Sequence, residues 1–223
     1  LEGFLTSTLG KGVVRAFDHP TSSLTASASL ACWQPHEAEK FGLTVDVVDD
    51  LTGSKLGRAK SGTFRTADVV GLDTMAHVIT TMQNTLQNDP FFPVYKTPDV
   101  LTKLIGGGAL GQKAGAGFYK KVGKDILRID PAKADYVTGG GKADDLVARI
   151  LKEKDPAKRM KALHDSTNPQ AQFLWAIFRD MFHYIAVHLE AIADNARDVD
   201  FALRWGFGLS LIHISEPTRQ EAI

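Results

Sequence analysis

The chain has 223 residues and balances 26 basic against 26 acidic side chains. A net charge of zero gives no electrostatic footprint for nucleic acid or for an anionic membrane surface. A single cysteine, Cys32, excludes an intrachain disulfide framework and suits a reducing cytoplasm. No apolar run approaches the roughly 20 residues that a membrane span requires.

The chain opens on Leu1 without an initiator Met or a basic leader, and reads as cut from something longer. Gly10-Lys11-Gly12 is a turn entering a short strand at Val13–Ala16, which Asp18-His19-Pro20 ends. Thr21–Pro35 is rich in Ser, Thr and Ala, lacks any clear period, and reads by composition as a low-complexity linker. His36–Phe41 follows as a helix closed by Gly42. Thr44 N-caps a second helix over Val45–Leu51, closed at Gly53.

Ala67–Thr85 predicts one longer helix, with Val69, Leu72, Ala76, Ile79 and Met82 on its buried face. Asp89-Pro90 breaks it. Asp99–Ile105 is a short helix stopped by Gly106-Gly107-Gly108. Gly115–Tyr119 turns into a strand, for which Ile126–Ile129 is the hairpin partner. Tyr136–Ala143 reads as a polar, Gly-rich surface stretch, and Asp144–Lys152 and Ala157–His164 as short amphipathic helices.

The clearest element is Gln170–Ala193. Phe173, Ile177, Met181, Ile185, Leu189 and Ile192 recur at helical spacing. Asn168 is the natural N-cap, with Pro169 in the first helical position. Trp175, Phe178, Phe182 and Tyr184 widen the apolar surface, which must pack on several neighbours or on a partner chain. Asn195 caps a last short helix, Asp198–Trp205. Thr44–Gly53 and Asn195–Gly206 form a weak internal repeat. The predicted fold class is therefore mainly α, with a small β-hairpin over Phe118–Ile129.

Catalytic chemistry is harder to find. Gly106, Gly108 and Gly111 spell G-x-G-x-x-G, but a helix precedes them and none follows, so they read as a helix-ending loop. Lys113, Lys120 and Lys121 could hold a phosphate; a solvated charge cluster is the commoner explanation. Asp46, Asp49 and Asp50 do not match a calcium loop, and acidic residues early in a helix favour its dipole. His183 and His188 stand five residues apart and read as core or surface histidines. His36-Glu37 lacks the second His of a zinc motif, and Cys32 has no base beside it. No metal site and no catalytic constellation emerges.

Three stretches, taken together, resemble one family. Leu9–Ala16 with Asp18 and Pro20 resembles the final strand of the NAD domain of 3-hydroxyacyl-CoA dehydrogenases. Gly57-Arg58 through Phe64–Thr74, with Asp68, Gly71, Leu72 and Asp73, resembles the signature of their C-terminal domain. Gly111–Tyr119, with Gly115 and Gly117, resembles their G-x-K-x-G-x-G-F-Y turn. Gln170–Ala193 and Asp198–Gly208 resemble the second helical repeat of the long bacterial members, often fused to a crotonase-like hydratase.

The resemblance implies a helical C-terminal domain of the 6-phosphogluconate-dehydrogenase-C-like kind. It implies NAD-dependent oxidation of 3-hydroxyacyl-CoA to 3-ketoacyl-CoA in fatty-acid β-oxidation, in the cytoplasm. The family's His–Glu base and its glycine fingerprint would lie before Leu1, and its further active-site Asn falls where Thr25 stands. No catalytic or cofactor-binding residue is therefore expected here. Asp68, Gly71, Leu72, Asp73, Gly115 and Gly117 are expected as structural signature positions.

Codons compatible with Thr21–Gln34, read one base earlier, spell Asn-Phe-Ile-Ala-Asn-Arg-Val-Gly-Val-Ser-Gly-Met-Leu-Ala, the family's motif. Leu209–Ile223 resembles a translated sequencing adapter. The expected organisation is 1–19 as the tail of an NAD-binding domain and 20–35 as a frameshifted, poorly packed segment. Then come 36–135 as a first helical repeat with the hairpin, 136–169 as a linker with short helices, 170–208 as a truncated second repeat and 209–223 as an adapter-derived tail. Function then reads as a fragment of the dehydrogenase, inactive alone. The alternative is a non-catalytic helical module for homodimerisation or acyl-CoA binding.

Overall fold

Two helix starts are fixed by N-cap side chains, Asp155 and Asn168, that accept the first free backbone N–H groups. In the computed structural model, which describes residues 34–58, 60–199 and 201, eight α-helices and three strands are seen. They are α1 (Gln34–Lys40), α2 (Val45–Thr52), α3 (Phe64–Val70), α4 (Leu72–Thr85) and α5 (Asp99–Gly106), then β1 (Tyr119–Val122), β2 (Asp125–Asp130) and β3 (Asp135–Thr138), then α6 (Asp145–Leu151), α7 (Pro156–Asp165) and α8 (Pro169–Ile192). The protein is mainly α with a small antiparallel sheet, as the sequence predicts. The stretch expected as the tail of an NAD domain, Cys32, Thr25, most of the segment expected to be frameshifted and the stretch expected to be adapter-derived lie outside the described residues.

Three expectations are corrected. Residues 67–85 form two helices, because Gly71 takes φ +104° and ψ 130° between α3 and α4, a conformation a side chain rarely adopts. The break rotates α3 away from the α4 face. Leu72, Met75, Ile79 and Met82 are buried, while Val69 is 66% exposed. The hairpin gains a third strand: Tyr136–Thr138, expected as surface loop, pair with Leu127–Ile129 in register. Gln34 and Pro35, expected to be poorly packed, are buried in α1.

The sheet runs in the order β1-β2-β3. Val122 pairs with Asp125, so Gly123-Lys124 makes a two-residue turn, with φ +62° at Gly123, of the kind that matches strand twist. Side chains from every helix meet in one core. Val48 and Leu51, Leu72 and Ile79, Leu101, Phe118, Val147, Leu163, and Phe173, Leu174, Ile177, Met181 and Tyr184 are all buried in it.

The long helix behaves as its pattern predicts. Asn168 accepts a hydrogen bond from Gln170 N–H at 2.8 Å, and Pro169 opens the helix. α8 packs on α7 and α1. It also grips the loop before α5. Tyr184 donates to Asp89 at 3.3 Å, His188 stands 3.1 Å from the same carboxylate, and Phe91 sits edge-on to Tyr184. The apolar face that could have sought a partner chain is thus filled from within over Phe173–Ile185. Residues 196–199 are helical, with Asn195 accepting from Asp198 N–H at 3.0 Å.

Candidate functional site

The two signature segments, far apart in the chain, meet in one junction. Asp68 on α3 accepts from Phe118 N–H at 2.8 Å and Tyr119 N–H at 2.9 Å, fixing the entry of β1. Gly117 is required there for space: a Cβ at that position would lie 2.1 Å from an Asp68 carboxylate oxygen. Leu72 is fully buried and donates its N–H to Leu110 at 3.2 Å. Asp73 and Lys113 form an exposed ion pair at 2.7 Å, and the Lys113 ammonium hydrogen bond holds the Asp73 carboxyl below its usual range. Gly115 closes the 3₁₀ turn Gln112–Ala114. Asp68, Leu72, Asp73 and Gly117 thus meet the turn at one joint, with Gly71 linking α3 to α4 and Gly115 closing the turn.

A second carboxylate, Asp49, completes the joint. Its oxygens accept from Thr63 N–H at 2.7 Å, Phe64 N–H at 2.6 Å and Arg65 N–H at 3.1 Å, which caps α3. The Tyr119 hydroxyl donates to it at 2.7 Å. Burial lifts the Asp49 carboxyl from its ordinary 3.8 to about 6, against the pull of those four donors. Burial likewise lifts Asp68 to about 6, against the Phe118 and Tyr119 N–H groups and the Arg65 charge. The Tyr119 hydroxyl is pushed up by burial and then by the Asp49 charge.

The neighbours of Asp49 on α2 do related work. Asp46 accepts from Gly140 N–H at 2.8 Å and Gly141 N–H at 2.7 Å and pairs with Arg128 at 3.1 Å. Burial pushes this carboxyl up, but the Thr44 hydroxyl, the two glycine N–H groups and Arg128 outweigh it and leave it lowered. Asp50 accepts from Ala143 N–H and from Lys55. Sequence reasoning assigned these three residues to the dipole of their own helix. Their partners lie as far as 95 residues away, and no local spacing announces them.

Beside the joint opens a cleft of about 560 Å³, lined in part by Lys60, Arg65, Val69, Tyr119, Lys121 and Ile126. The Arg65 guanidinium lies 4.5 Å above the Tyr119 ring. Of the lysines weighed as phosphate holders, Lys113 is turned to Asp73 and Lys120 lies over the Tyr136 ring at 5.4 Å. Only Lys121 reaches the cleft. Among the described residues no group of three or more His, Cys, Asp or Glu side chains could hold a metal ion. None of the helices described is long and apolar enough to cross a membrane.

Fold and joint define a class: a mainly α domain whose signature segments pin a small antiparallel sheet onto a helix pair. Residues 36–121 match the family described as 3-hydroxyacyl-CoA dehydrogenase, C-terminal domain. Over that stretch the chain is similar to the C-terminal domain of this dehydrogenase family.

A protein of Bacillus subtilis named "Probable 3-hydroxyacyl-CoA dehydrogenase" is 37% identical over 214 residues, covering 95% of this chain and 27% of the relative. One of the same name from Deinococcus radiodurans is 43% identical over 127 residues, 56% of this chain and 36% of its own length. A Mycobacterium tuberculosis 3-hydroxybutyryl-CoA dehydrogenase is 32% identical over 121 residues, 53% of this chain and 40% of its own. The chain thus spans well under half of each of these relatives. No solved structure is a significant match to it.

Proposed function

We propose that this chain is the helical C-terminal part of an NAD-dependent 3-hydroxyacyl-CoA dehydrogenase. The whole protein would oxidise 3-hydroxyacyl-CoA to 3-ketoacyl-CoA in cytoplasmic fatty-acid β-oxidation. The observation that supports it most is the match of residues 36–121 to the family's C-terminal domain, whose signature segments meet in the joint described above.

The described residues do not themselves fit a dinucleotide. Gly106 ends helix α5, and Gly108 and Gly111 lead from it into the Gln112–Ala114 turn, whereas a pyrophosphate loop lies between a strand and a helix. In this reading the nucleotide and the His–Glu base belong to another part of the parent protein, and the chain alone is inactive. What the joint supplies is rigidity, holding α3, α4 and the sheet as one body that the remainder can close upon. The division at residues 19, 35, 135, 169 and 208, and a homodimer through the helical domain, belong to the same proposal.

The test is NADH oxidation with acetoacetyl-CoA. The chain alone should give no rate above the blank, and turnover would refute its inactivity. Joined behind the upstream part of the Bacillus relative, it should give turnover. A fusion that folds, melts cooperatively and stays inactive would overturn the dehydrogenase reading.

A further inference from the structure

Seven arginines lie among the described residues, and six of them are engaged. Arg128 and Arg179 pair with carboxylates, Arg149 and Arg159 donate to backbone carbonyls, and Arg65 and Arg197 lie over aromatic rings. Arg58 differs. Its backbone N–H donates to Gly53 at 3.2 Å, but among the described residues its guanidinium meets no carboxylate, carbonyl or ring. Yet the residue is mostly buried, and burial alone draws the guanidinium from its ordinary 12.5 down to about 10. A cation taken out of water without a counter-charge is unfavourable, and folded proteins rarely keep one.

The surroundings show where a counter-charge can come from. The α2 carboxylates nearest in sequence are committed, Asp49 to four donors and Asp50 to Ala143 and Lys55. Lys60, two residues on, is exposed and adds a second cation. The loop that carries Arg58 is closed at its base, where the Thr52 and Thr63 hydroxyls meet at 2.7 Å. The Thr63 hydroxyl is also hydrogen-bonded to the Gln34 side chain. Gln34 is the first residue of α1, so the chain that precedes α1 arrives at the base of this loop. The matched stretch is 27% of the Bacillus relative, and most of a protein of that length lies beyond it.

We propose that Arg58 is a docking residue, whose guanidinium takes a carboxylate from the part of the parent protein that precedes α1. Its planar fork fits an Asp or Glu carboxylate through two parallel hydrogen bonds, and the carboxylate replaces the water that the cation has lost. The inference rests on the reading above that the chain is one part of a longer dehydrogenase.

Arg58→Met tests it, since Met keeps an unbranched apolar stem and removes the charge. In the full chain alone, R58M should raise the melting temperature by about 2–4 °C, because an unpaired buried cation is lost. Sodium acetate, compared with sodium chloride at equal ionic strength, should stabilise the wild-type chain and leave R58M unmoved. In the fusion to the upstream part of the Bacillus relative, amide exchange over residues 53–62 should slow at least about tenfold against the chain alone. R58M should abolish that slowing, and R58K, which keeps the charge but not the fork, should retain only part of it.

A fall in the melting temperature of the R58M chain would mean that Arg58 is satisfied from within, and would overturn the proposal. So would protection in the fusion that R58M keeps in full. Acetate binding at Arg58 with no protection in the fusion would make a free carboxylate the occupant and remove the docking role. The dehydrogenase reading is judged separately. A fusion that oxidises NADH without added protection keeps that reading and loses the docking, whereas an inactive fusion with Arg58-dependent protection does the reverse.

Discussion

Replacing Asp49 separates two things that its carboxylate does. The side chain is 5% exposed and serves the N–H groups of Thr63, Phe64 and Arg65 and the Tyr119 hydroxyl. Asp49→Ala strands these donors. The Thr63 and Phe64 groups are buried, and a buried donor left without a partner costs about 1–3 kcal/mol. Water admitted to the new space offsets part of this, so a loss of about 4 kcal/mol is expected. Asp49→Asn keeps one oxygen for Thr63 and Phe64, and the Tyr119 hydroxyl can turn to accept. Near pH 4 its cost should be about 1–2 kcal/mol.

The pH dependence then decides how the charge acts. The folded carboxyl titrates near 6 against an ordinary 3.8, so its stabilising contribution is fully present below 3.8 and is lost as pH rises through about 6. At 1.36 kcal/mol per pH unit, that loss is about 3 kcal/mol. The Asn variant has no such loss, so its deficit should shrink from pH 4 to pH 7 and vanish or reverse at neutrality. Asp68, Asp46 and Asp50 titrate in both proteins and cancel in the difference. Urea unfolding followed by tryptophan fluorescence at pH 4, 5.5 and 7 measures it. A deficit that stays constant or grows with pH would show that the ionised carboxylate is the favoured form, and would refute the reasoning.

Other expectations are simpler. Gly117→Ala forces a Cβ to 2.1 Å from the Asp68 carboxylate and should cost about 2–4 kcal/mol in urea unfolding; a neutral result would mean that the joint gives way freely. Phe173→Ala removes a fully buried ring, and a loss of about 3–5 kcal/mol is expected by the same measurement. Asn168→Ala deletes the side-chain cap of α8 and should cost about 1 kcal/mol. Lys113→Ala breaks an exposed pair and should leave the unfolding midpoint unchanged within error.

Legibility followed the range of the forces. α8 was readable because its apolar period, its Asn168 cap and its Pro169 start are all local. The Gly71 break was not, since the apolar steps of Val69, Leu72 and Ala76 run through it without a fault. It exists because the α3–α4 junction must bring Asp68 against Gly117 and Leu72 against Leu110, a contact made across some 40–50 residues. β3 was missed for a related reason. Tyr136 and Val137 are too few to show alternation, and their strand depends on β2 being in place. In the candidate site, the six signature positions came from resemblance. The partners of Asp49, and the meeting of Lys60 and Arg65 with Lys121 in one cleft, came only from the fold, because nothing in a sequence says which distant loop a carboxylate or an ammonium will face.

Residues 139–143 show what such distant anchoring implies. By composition they are a glycine-rich strip, and they carry no regular secondary structure. Yet the N–H groups of Gly140, Gly141 and Ala143 all end on Asp46 or Asp50 of α2. Amide exchange there should therefore be slow, set by the opening of α2 rather than by the loop's own looseness. A protease would find the strip a poor substrate, and an insertion within it would be felt at α2, as far as 95 residues earlier in the chain.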